Sequence, residues 1–156
     1  MLANFVAYLR AAVPLFRGDG TTLRHELDLA RAYLEVLQVR IGQRLAFRID
    51  VPDALRDLPF PPYALATLTE NAIKHGINPL PEGGSVEITG RIEDDRLKLV
   101  VADTGAGINK AGGSGSGLAN LRARLLAQYG AGASLMIEGN VPRGIRVTIA
   151  IPASTH

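Results

Sequence analysis

The 156-residue chain predicts an α+β fold, a two-layer α/β sandwich with a mixed, mostly antiparallel sheet. Three observations carry this expectation. Long stretches place apolar residues at steps of three and four, the helical period. About five short stretches alternate apolar and polar residues and mostly come in adjacent pairs, as strands in hairpins do. Hydrophobic residues make up 47% of the chain, enough for one packed core at this length.

The elements follow in order. Residues 2 to 16 read as a short helix with Leu2, Phe5, Val6, Leu9 and Val13 apolar, broken by Gly18-Asp19-Gly20. A long helix is expected from about Thr22 to Ile41, its seam formed by Leu23, Leu27, Ala30, Leu34, Leu37 and Ile41, with Gly42 ending it. Residues 2 to 41 together suggest a helical hairpin or coiled-coil-like packing. A strand is expected over 45 to 51, closed by Pro52. Pro59, Pro61 and Pro62 mark a turn into a helix that runs to about His75, with Gly76 as its C-terminal cap. Strands over 85 to 92 and 97 to 101 flank the turn Glu93-Asp94-Asp95. A helix over 118 to 129 carries Leu118, Leu121, Leu125 and Leu126 and stops at Gly130 and Gly132. Residues 135 to 138 and 145 to 151 form a final strand pair.

The bulk numbers exclude several classes. A net charge of +2, with scattered arginines, gives no footprint for nucleic acid. No apolar run approaches the roughly eighteen residues of a membrane span, and the N-terminus shows no signal-peptide pattern. The absence of cysteine excludes disulfides, thiol nucleophiles and zinc-thiolate sites, and fits a cytoplasmic setting. His25, His75 and His156 are too dispersed in sequence for a metal cluster.

The chemistry concentrates in two stretches. Asp103-Thr104-Gly105-Ala106-Gly107, followed by Gly112-Gly113-Ser114-Gly115-Ser116-Gly117-Leu118, offers a carboxylate, side-chain-free backbone and then a helix start. A carboxylate accepts from an adenine amino group, glycines let the chain approach base and phosphates, and a helix N-terminus presents N–H groups to phosphate. Upstream, Thr67, Glu70, Asn71, Lys74 and His75 share one helix face, while Leu65, Leu68 and Ala72 share another. Asn71 suits a hard cation such as Mg²⁺, and Lys74 and His75 suit phosphate oxygens. Plain structure explains the same residues: Glu70 and Lys74 as a surface pair, Lys74 and His75 at a helix C-terminus, the glycines as turns and linker. Other nucleotide motifs fail. There is no P-loop, and Leu118 stands where a Gly-x-Gly-x-x-Gly run needs its last glycine.

In combination, Glu70-Asn71-Ala72-Ile73-Lys74-His75-Gly76, then Asp103 to Gly107, then Gly115-Ser116-Gly117-Leu118 resemble the N, G1 and G2 boxes of the Bergerat (GHKL) ATP-binding fold. Leu23-Arg24-His25-Glu26-Leu27, Tyr33-Leu34-Glu35, Arg40, Gly117-Leu118-Ala119-Asn120-Leu121-Arg122-Ala123-Arg124-Leu125 and Gly144 with Val147-Thr148-Ile149 and Pro152 are similar to sensor histidine kinases of the LytS/YehU type. The resemblance spans nearly the whole chain. It implies ATP and Mg²⁺ as cofactors. Asp103 would bind the adenine amino group, with Gly105, Gly107 and Ile108 lining the base pocket. Asn71 would hold Mg²⁺, with Lys74 and His75 near the phosphates. Residues 109 to 115 would be a short lid, closed by Gly115, Gly117, Leu118 and Asn120. Glu70 is a candidate for a catalytic role.

The resemblance further implies a response regulator receiver domain as partner and a homodimer in the full-length kinase. Residues 1–42 would be the end of the dimerisation helices and 43–156 the ATP-binding catalytic domain. The family's phospho-acceptor segment is not evident in these residues, so the chain alone is not expected to phosphorylate itself. Ile145 stands where a threonine commonly contacts adenine, and Thr67 where proline is common. Hydrolytic ATPases of the superfamily carry a glutamate four residues before the asparagine, the position of Thr67 here. A dimerising module with a vestigial nucleotide site is a further alternative.

Overall fold

The computed structural model describes residues 21–107 and 115–153. The expected helix over residues 2 to 16, Ile108, most of the lid and His156 lie outside them. The elements in order are β1 (Thr21–Thr22), α1 (Leu23–Ile41), β2 (Leu45–Asp50), β3 (Pro59–Phe60), α2 (Ala64–Asn71), β4 (Gly84–Glu93), β5 (Arg96–Asp103), α3 (Gly115–Tyr129), β6 (Ser134–Gly139) and β7 (Ile145–Pro152).

The sheet has five strands in the order β2-β4-β5-β7-β6. β2 and β4 run parallel, and every other pair is antiparallel. The β4–β5 hairpin turns at Asp94 and Asp95, both with positive φ. Leu97, Leu99 and Val101 of β5 and Val147, Ile149 and Ile151 of β7 join one core with residues of the three helices. This is the two-layer α+β sandwich the period pattern predicts.

α1 starts where Thr22 caps it, its side chain accepting from the His25 backbone N–H at 3.3 Å. It ends at Gly42, whose φ of 66° breaks the helix. Its buried face is Leu23, Glu26, Leu27, Ala30, Tyr33, Leu34 and Leu37. That face packs into the same core as the sheet and α2. The seam of α1 therefore lies against this chain's own sandwich, while the rest of the hairpin expected over residues 2 to 41 lies outside the described residues.

Two local differences matter for the site. Residues 59–60 form a short strand against Thr21–Thr22 before the helix begins at Ala64. The helix also does not stop at Gly76. From Ala72 to Ile77 it widens into a π-helical turn, with the Asn78 N–H donating to the Ile73 carbonyl at 2.8 Å. Gly76 is thus an interior residue and not a cap. Ile73 and Ile77 of this turn are both fully buried in the core.

Candidate functional site

Asp103 ends β5 and is buried. Its Oδ1 accepts from the Gly105 N–H at 2.8 Å and the Ile145 N–H at 3.3 Å. Burial raises its pKa above the usual carboxylate value, against the pull of those two N–H groups. Thr104 ties the loop to β4: its Oγ1 accepts from the Ser85 N–H at 2.9 Å, and its own N–H donates to the Ser85 carbonyl at 3.0 Å.

The π-helical turn lies against this loop. A Cβ on Gly76 would sit 2.8 Å from Asp103 Oδ1. One on Gly105 would collide with the Gly76 backbone. Ala106 donates its N–H to the Gly76 carbonyl at 3.0 Å. The two stretches picked out by their chemistry, residues 70–76 and 103–107, therefore meet backbone to backbone. Glycine at 76 and 105 makes that approach feasible.

Around this contact, Asn71 is the half-buried last residue of α2, Lys74 is exposed and His75 half-buried in the turn that follows. Gly107 closes the Asp103 loop beside Gly144. Glu70 is half-buried with its Oε2 shielded from solvent. Burial, and beside it the charge of Glu70, raises the pKa of the Tyr33 phenol on α1.

The expected lid residues separate. Gly115 opens α3, and Gly117 faces Thr67 of α2, with 3.8 Å between Thr67 Cγ2 and the Cβ that Gly117 lacks. Leu118 is a buried core residue, whereas Asn120 is exposed. Ile108 lies outside the described residues. Ile145 meets Asp103 through its backbone N–H, which its side chain cannot replace as a donor.

Sequence reasoning missed three supporting residues. Glu26 of α1 is buried and accepts from the N–H groups of Tyr63 at 3.0 Å and Leu65 at 3.2 Å. It thereby caps α2 from a neighbouring helix. The acceptor for these N–H groups comes from outside the helix, because Tyr63, at φ 62°, makes no side-chain cap of its own. Arg124 of α3 donates to the Pro62 carbonyl at 3.0 Å, and its charge acts on Glu26. Asn140 donates its side-chain amide to the Asp103 carbonyl at 2.9 Å. Only Glu26 left a signal: an acid on the seam beside Leu23, Leu27 and Ala30.

A family profile described as histidine kinase-, DNA gyrase B-, and HSP90-like ATPase matches residues 62–155. This chain belongs to that family. Among relatives of the ATPase family, the sensor histidine kinase YesM of Bacillus subtilis is 30% identical over 86% of this chain and 24% of its own length. The sensor histidine kinase/phosphatase LytS of Staphylococcus aureus is 32% identical over 88% of this chain and 26% of its own. The chain thus spans about a quarter of the relatives it matches. The catalytic domain of histidine kinase ThkA shares its fold, with a TM-score of 0.64 at 15% identity, covering 90% of this chain and all of that one.

Among the described residues no group of three or more His, Asp or Glu side chains gathers to hold a metal. Asn71 is half-buried, and its amide oxygen is of the ligand type a Mg²⁺ ion takes beside phosphate and water. Among the described residues no helix is long and apolar enough to cross a membrane.

Proposed function

We propose that this chain is the ATP-binding catalytic domain of a two-component sensor histidine kinase, positioning Mg²⁺-ATP for transfer of its γ-phosphoryl to a histidine outside these 156 residues. The observation that carries the reading is the contact of Asp103 with the end of the asparagine-bearing helix. One junction brings the buried Asp103 carboxylate next to the helix end that carries Asn71, Lys74 and His75. Phosphoryl transfer depends chiefly on positioning and charge neutralisation.

In this reading Asp103 accepts from the adenine amino group, and Gly105, Gly107 and Ile108 line the base. Asn71 supplies a metal ligand, Lys74 and His75 face the phosphates, and Gly115, Gly117, Leu118 and Asn120 belong to the segment that covers them. Mg²⁺, when bound, neutralises phosphate charge and orients the transferring group. In the same reading residues 1–42 are the end of the dimerisation helices and 43–156 the ATP-binding catalytic domain, with α1 packed on the core of that domain. The partners are a response regulator receiver domain and, in the full-length kinase, a second copy. The domain works on the cytoplasmic side.

Transfer is favoured over hydrolysis by Thr67, four residues before Asn71. Its hydroxyl donates to the Tyr63 carbonyl at 3.0 Å and offers no base to activate water.

Calorimetric titration tests the reading. ATP is expected to bind more tightly than GTP, with Mg²⁺ strengthening the binding, and Asp103→Asn is expected to lose the preference for adenine. Equal ATP and GTP affinities in the wild type would remove Asp103 from the site.

A further inference from the structure

We infer that Asn140 is a positioning residue of the purine site, holding Asp103 from its backbone side and so setting adenine selectivity; the inference rests on the nucleotide reading of Asp103. The ladder between β5 and β7 ends at the pair Ala102 and Arg146. Asp103 is the next residue; Ile145, which the register would set opposite it, is not paired with it in the ladder and gives its N–H to the Asp103 carboxylate. The Asn140 amide supplies the missing donor, at 2.9 Å from the Asp103 carbonyl oxygen.

The turn that carries Asn140 is built to reach this point. The Asn140 backbone N–H donates to the Gly144 carbonyl at 2.9 Å and closes residues 140–144 on themselves. Gly144 has a φ of 110°, and a Cβ there would collide with the Asp103 carbonyl oxygen. Only glycine lets the turn come so close. The next residue, Ile145, donates its N–H to Asp103 Oδ1. One stretch of chain, residues 140–145, therefore holds both the carbonyl and the carboxylate of Asp103.

Discrimination between adenine and guanine is directional. A carboxylate accepts from the amino group of adenine and repels the carbonyl that guanine presents there. If the peptide after Asp103 rotates, the carboxylate loses that direction. The phosphates are gripped elsewhere, so selectivity suffers before total binding does. Leaving the buried carbonyl unpaired, or facing it with a second acceptor, is the perturbation that rotates it.

The test titrates Mg²⁺-ATP and Mg²⁺-GTP against the 156-residue chain as wild type, Asn140→Asp, Asn140→Ala, Asn140→Ser and Asp103→Asn, with a thermal melt of each. Asn140→Asp keeps the shape but replaces the donor with an acceptor. Its ATP affinity is expected to fall about tenfold, and that of Asn140→Ala about fivefold, with GTP affinity moving less than about twofold. ATP and GTP affinities falling in parallel, or an unchanged ratio, overturns the inference. So does failure of all three Asn140 variants to fold, because the turn would then serve folding and not selectivity. If Asp103→Asn keeps the wild-type ratio, the nucleotide reading of Asp103 fails as well. If Asp103→Asn loses the ratio and Asn140→Asp keeps it, only the role of Asn140 fails.

Discussion

Gly76 and the Asp103 carboxylate stand closer than any side chain at position 76 allows: a Cβ there would lie 2.8 Å from Oδ1 and 2.9 Å from Cγ. Two segments 27 residues apart in sequence, counting from 76 to 103, are thereby joined through a missing methyl group. Gly76→Ala must push the carboxylate or the π-helical turn aside. The expected result is a loss of stability of about 1–3 kcal/mol from overpacking. ATP affinity is expected to drop on the order of tenfold, because a displacement of that size spoils a directional hydrogen bond. Denaturant unfolding and nucleotide titration measure the two effects, and an ATP affinity equal to wild type would show that the carboxylate's position is not critical.

Glu26 predicts an unusual pH dependence of stability. Burial pushes its pKa up to about 7 from 4.5; the N–H groups of Tyr63 and Leu65 and the charge of Arg124 pull the other way and offset only part of this. The folded state therefore binds this proton more tightly than the unfolded state. The stabilisation is fully present below about pH 4.5 and is lost as pH rises through about 7. Between those values this group alone can lower stability by up to about 3 kcal/mol. Urea unfolding of wild type and Glu26→Gln across this window isolates the effect, since the variant should lack that part of the slope. Identical slopes would mean that Glu26 titrates normally.

Leu118 and Asn120, both grouped with the lid by resemblance, should behave differently. Leu118 is buried at 3% exposure in the common core. Leu118→Ala is expected to cost about 2–5 kcal/mol of stability through lost burial and the cavity left behind. Asn120 is exposed, so Asn120→Ala should stay within about 0.5 kcal/mol of wild type. Denaturation midpoints compare them directly; a Leu118→Ala protein as stable as wild type would place Leu118 outside the core.

The helical and strand periods were legible because they record which side of each element meets the core. Leu23, Leu27, Ala30, Leu34 and Leu37 are all buried as their spacing required. The alternation at Val86 and Ile88 placed β4 correctly, and Asp103 was singled out by standing at the end of an apolar run before glycines. The partner that α1 packs against was not legible. A seam at steps of three and four shows that a helix buries one face, and it fits a sheet as well as another helix. The same holds for Gly76: a glycine after Lys74 and His75 reads locally as a cap, and only the fold carries the helix past it to Ile77.

The sequence by itself determined the α+β class, most element positions and the residues carrying donor and acceptor chemistry, because side-chain period and residue type are local properties. Tertiary structure alone decided that α1 lies on the sheet, that Glu26 caps α2 across 37 residues and that Asn140 reaches back to Asp103. Those contacts satisfy buried N–H and C=O groups whose partners lie far along the chain. A backbone group left unpaired by its own element carries no mark in the sequence; only the folded arrangement brings a side chain to it.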